Sequence, residues 1–65
     1  MMSASDYVVG QKLILVNHHG AEYPVEVVGF TSLPDDLVVR WLGLRPSLNE
    51  INTICLNHVK EVRAA

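Results

Sequence analysis

Four side chains in this 65-residue chain have the chemistry of soft metal ligands: His18, His19, Cys55 and His58. Cys55-x-x-His58 has the spacing of a zinc-ligand pair, and two further histidines would complete a tetrahedral set. All four must converge for that, whereas His18 and His19, adjacent at a strand end, project to opposite faces. Cys55 reads equally as a small core residue, the usual fate of a buried free thiol. No metal and no cofactor are therefore expected. Asp35 and Asp36 are paired carboxylates, but they follow Pro34 in a turn, where hydration and local capping account for them. A nucleophile elbow, a glycine-rich phosphate loop and a metalloprotease helix are all missing from the sequence. The chain is not expected to be an enzyme.

Composition sets the frame in which those residues must sit. At this length there is room for one domain, which buries only about 60% of the surface its unfolded chain exposes. Hydrophobic residues make up 49% and charged residues 18%, which excludes a disordered chain. The longest apolar run, Leu13 to Val16, is too short to span a membrane. The opening Met-Met-Ser-Ala-Ser-Asp has neither a basic nor an apolar region of the secretory kind. With Cys55 the only cysteine, no intrachain disulfide is available, and a cytoplasmic location is expected. The net charge of −2 disfavours a nucleic-acid binder that works by bulk charge.

Apolar periodicity is mostly two, and ten valines suit a pleated surface. Residues 1–6 are expected to be a flexible N-terminus and 7–65 a single domain. Strands are predicted over about 12–18, 23–31, 37–44 and 50–56, with a short last strand near 59–63. Gly20 is the positive-φ residue of the first turn, and Pro24 marks an edge or a strand beginning. Pro34-Asp35-Asp36 and Arg45-Pro46-Ser47-Leu48-Asn49 form later turns. Asn57-His58, between two short β runs, suits a single 3₁₀ turn. A helix over 48–62 would align Ile51, Cys55, Leu56, Val59 and Val62. The β-branched Ile51, Thr53 and Ile54, with Asn52 and Asn57, argue against it.

The order of these elements resembles the SH3-like small barrels, which include Tudor and KOW-type domains, plasmid-repressor C-terminal dimerisation domains and the plasmid-type dihydrofolate reductases. The matching features are the long second strand, the Pro-Asp turn, the Trp41-bearing third strand and the Leu56-Asn57-His58-Val59 turn. Val9-Gly10-Gln11-Lys12-Leu13 is similar to the family's opening strand, and Gly29 lies where such barrels bend. The resemblance covers about 9–64 and implies an all-β, five-stranded SH3-like barrel with a 3₁₀ turn before the last strand. The reductases build their active site between subunits. Here Thr53-Ile54-Cys55-Leu56 lacks their Gln and Tyr pair, so no catalytic residue carries over.

Alternation gives each strand two faces. If Glu26 and Arg40 face solvent, Val25, Val27, Val39 and Trp41 face inward, and Val28, Phe30, Val38 and Leu42 share the outer face. A barrel this small cannot hide both sets, and soluble monomers seldom leave a contiguous apolar patch uncovered. The expected function is non-catalytic protein–protein contact or dimerisation, as in a phage- or plasmid-type accessory protein. Its contact residues are Val28, Phe30, Val38, Arg40 and Leu42, and its partner is a second copy or another protein. A bulge at Gly29 would instead turn Phe30 inward. The alternative is a nucleic-acid-binding barrel using Arg40, Arg45, Lys60 and Arg63.

Overall fold

The computed structural model describes residues 3–43 and 50–65. Five strands, β1 (Lys12–Val16), β2 (Glu22–Phe30), β3 (Asp36–Trp41), β4 (Ile51–Cys55) and β5 (Glu61–Ala64), form one antiparallel sheet. The strand order is β4-β3-β2-β1-β5, so β1 to β4 meander and β5 returns to the far side of β1. The sheet is not closed. A 3₁₀ turn over Leu56–His58 links β4 to β5, and the helical alternative over 48–62 gives way to strand, turn and strand wherever those residues are described. Among the described residues, no helix is long and apolar enough to cross a membrane.

The period-two pattern builds the core directly. Leu13 and Leu15 of β1, Val25 and Val27 of β2, and Leu37 and Val39 of β3 are all buried; apart from Val16, which is buried beside Leu15, their neighbours along each strand are exposed or half-buried. Leu56 in the 3₁₀ turn closes one end of the core, and Trp41, Ile54, Val59 and Val62 pack partly against it. Each fully buried Leu or Val side chain contributes about 1.5–3 kcal/mol relative to exposure.

The described part of the N-terminal segment carries local structure. Ala4–Asp6 forms a 3₁₀ turn, and Ala4 is only 4% exposed within the core cluster. The Ala4 N–H donates to the Pro34 carbonyl at 2.9 Å, and the Ser3 N–H donates to Asp6 Oδ2 at 3.2 Å. A small apolar side chain and a tied backbone hold residues 3–6 in place; composition alone conveys neither.

The first turn shows how Asn and Gly divide the work. Asn17 Oδ1 accepts from both the His19 and Ala21 N–H groups at 2.9 Å, while Gly20 takes φ +85°. Gly10 adopts φ +92° before β1. Asn17→Ala should cost about 1–3 kcal/mol through two lost hydrogen bonds. Gly20→Val should cost about 1–2 kcal/mol from backbone strain alone, because a Cβ there meets no neighbour. Chemical denaturation of the two variants checks both values; a Gly20→Val protein as stable as the parent would contradict the strain argument.

Pro24 lies in a central strand, not at an edge, but near the beginning of β2 as its type requires. Its carbonyl accepts from the Leu42 N–H at 2.9 Å, one residue beyond the end of β3. The missing N–H therefore falls where the β2–β3 ladder is already ending.

Candidate functional site

The β2–β3 pairing decides which residues share the outer face. Residues directly opposite lie on the same side of a sheet, and Glu26 pairs with Arg40, their charged groups 4.0 Å apart. Val38 and Leu42, two residues either way from Arg40, lie on that side. Register then shifts between Val27 and Gly29: Val27 opposes Val39, yet Gly29 opposes Val38, leaving Val28 as an extra residue. This β-bulge brings Gly29 beside Val38, where an added Cβ would sit 3.9 Å from the Val38 Cβ.

Past the bulge the faces exchange. Phe30 opposes Leu37, whose side chain is wholly buried, so Phe30 leaves the outer face that uninterrupted alternation predicts. It does not enter the core. At 46% exposure it lies at the core's margin, and with Tyr7, Leu33 and Pro34 it lines an open hollow of about 500 Å³. Burial, with the Asp6 carboxylate next in the chain, pushes the Tyr7 phenol above its ordinary pKa. The five expected contact residues are thus divided: Val28, Val38, Arg40 and Leu42 are half-buried along β2 and β3, and Phe30 stands apart.

The outer face also recruits residues that alternation in β2 and β3 does not reveal. Ile51 opposes Arg40 and is 58% exposed, Thr53 opposes Val38, and Ile14 opposes the exposed Pro24. The result is an apolar patch over β3 and β4, bordered by a charged row, Lys12–Glu26–Arg40, in register across three strands, while Glu22, Glu61 and Arg63 charge the same face toward β5. The signal for Ile51 was present as period-two spacing in β4, but finding its neighbour required the register.

Among the described residues, the predicted basic side chains Arg40 and Arg63 each have carboxylate neighbours. Arg40 is near Glu26, and Arg63 pairs with Glu22 at 3.0 Å and lies 3.9 Å from Glu61. Lys60 is exposed beside β5, and Arg45, with its Pro46-Ser47 turn, lies outside the described residues.

The potential metal ligands separate as well. His18 and His19 are exposed at the β1–β2 turn. Cys55 and His58 line a second hollow of about 330 Å³, in which Tyr23 and Trp41 meet edge to face, their centroids 5.2 Å apart. Among the described residues, no group of three His, Cys, Asp or Glu side chains is placed to hold a metal. Asp35 and Asp36 serve the turns. Asp35 Oδ2 accepts from the Asn57 side-chain amide at 3.1 Å, and Asp36 Oδ2 accepts from the Thr31 hydroxyl at 3.5 Å. Trp41, assigned to the interior by alternation, is half-buried against the core with one side open to the second hollow.

No protein-family model matches this chain, and no curated protein or solved structure matches it significantly.

Proposed function

We propose that this protein is a non-catalytic contact module of the SH3-like small-barrel kind, which binds another protein surface through the outer face of its sheet. One observation carries the reading: after the core is filled, Val38, Leu42 and Ile51 still stand on a single side of β3 and β4, with the half-buried Val28 at the bulge beside them. A sheet that buries one face normally makes the other polar. On its β1–β5 side the outer face is charged in this way, with Glu22, Glu61 and Arg63, whereas over β3 and β4 apolar side chains flank the Glu26–Arg40 pair, the arrangement of a contact surface whose charges set orientation and whose apolar area supplies affinity. Strand order and the 3₁₀ turn before β5 support the barrel kinship. The carboxylates around Arg40 and Arg63 favour protein contact over phosphate binding.

A photocrosslinking side chain in place of Leu42 should capture a protein, either this chain or another, in purified samples or in native cells. The same group in place of Glu61 on β5 should capture none. Equal yields at the two positions would overturn the assignment. So would retention of labelled DNA or RNA that weakens steeply as salt rises.

A further inference from the structure

The two margins of the sheet are built differently. β5 carries Glu61 and Arg63, charges of the kind that keep an edge from pairing with another chain. β4 reads Ile-Asn-Thr-Ile-Cys, with no charge and no proline, and among the described residues only β3 pairs with it. We propose that β4 pairs edge to edge with β4 of a second copy, antiparallel about a two-fold axis at Thr53. The proposal goes beyond the contact reading, since it concerns the sheet edge and leaves the outer face open.

Two hydrogen bonds fix which backbone groups are free for this. The Trp41 N–H donates to the Glu50 carbonyl at 3.0 Å, and the Leu56 N–H donates to the Asp35 carbonyl at 2.8 Å. Both bonds follow the register in which Val38 opposes Thr53. Antiparallel partners alternate between bonded and non-bonded pairs. Asn52 and Ile54 therefore bond inward to β3, whereas Ile51, Thr53 and Cys55 turn their N–H and C=O groups outward.

The outward set is symmetric about its middle member, which is the condition for self-pairing by a two-fold. With the axis at Thr53, each Thr53 faces Thr53 of the partner subunit, and Ile51 faces Cys55 of the partner subunit. Every outward N–H then meets an outward carbonyl. The side chains agree with this phase. Thr opposite Thr is a favourable cross-strand pair, and Ile51, 58% exposed in the single chain, gains an apolar neighbour. Glu50, the nearest charge to β4, falls opposite Leu56 of the partner subunit, so no two carboxylates are brought together. The paired sheets would also join the two outer faces into one surface.

Sedimentation across a dilution series, up to millimolar protein, should show a species of twice 7.2 kDa that dissociates on dilution. Over the same series, hydrogen exchange at the Ile51, Thr53 and Cys55 amides should slow as concentration rises. Thr53→Pro removes one outward N–H and no bond to β3, so it should give a folded monomer. Thr53→Lys, which sets two ammonium groups across the axis, should do the same if proline disturbs the strand. A wild type that stays monomeric at millimolar concentration overturns the proposal, as does a dimer whose outward amides exchange freely or one that survives Thr53→Lys. Capture at Leu42 with unprotected β4 amides removes the edge pairing and leaves the contact module standing. Protected amides with no preference for Leu42 do the reverse.

Discussion

Leu37→Ala should leave this protein largely unfolded. Leu37 lies on β3 between Phe30 of β2 and Ile54 of β4, and its side chain is fully buried. Truncating such a leucine costs about 2–5 kcal/mol, because transfer energy is lost and a cavity remains. A domain of this length has about 3–10 kcal/mol in total, and it has no disulfide to fall back on. The comparison is Ile51→Ala. That residue is 58% exposed on the same sheet, and its replacement should change monomer stability by about 0.5 kcal/mol or less. The single tryptophan, Trp41, packs against the core and gives a fluorescence signal for urea unfolding. Equal losses from the two variants would refute the core assignment.

Single-residue deletions should divide sharply according to the bulge. Removing Ile14 from β1 forces Leu13 or Leu15 to the outer face, since one step in a strand exchanges every side chain's direction. Both leucines are at most 3% exposed, and β1 pairs with β2 and β5 at once, so neither partner strand can follow the slip. The expected result is an unfolded chain. Removing Val28 should be tolerated at about 1–2 kcal/mol. With it gone, Val27 opposite Val39 is followed by Gly29 opposite Val38 and Phe30 opposite Leu37, in unbroken register. Amide NMR spectra of the two deletion proteins distinguish dispersed from collapsed peaks. A folded Ile14 deletion, or an unfolded Val28 deletion, would contradict the register on which the outer face is built.

Much of this architecture was legible in the residues. Alternation in Leu13-Ile14-Leu15 and Val25-Glu26-Val27 yields both strands and the face each buries, and Asn57-His58 marks the 3₁₀ turn. Pro34-Asp35-Asp36 marks the β2–β3 turn, though β3 ends at Trp41, short of the Leu44 expected from apolar character. What the pattern could not convey is cross-strand register. The bulge at Val28 was conceivable from Gly29, but a glycine in a strand does not say on which residue the shift falls. The placement of Phe30 depended on that shift. Ala4 was illegible for another reason: its burial depends on a bond to Pro34, thirty residues on. Alternation placed Val38 and Leu42 on the side of the sheet that carries Arg40, yet Ile51 and Thr53 join that side only through pairing with β3.

The pairing of β1 with β5 has a kinetic consequence. Every other ladder in the sheet joins strands that are consecutive along the chain, so those contacts form locally and rapidly. Docking β5 instead closes a loop that contains nearly the whole domain, with an entropic cost that the hairpins never face. Assembly should therefore begin in the β1–β4 meander, and attachment of the last strand should set the overall rate. In the native protein the same strand should be the first to detach, with its amides exchanging through openings smaller than global unfolding.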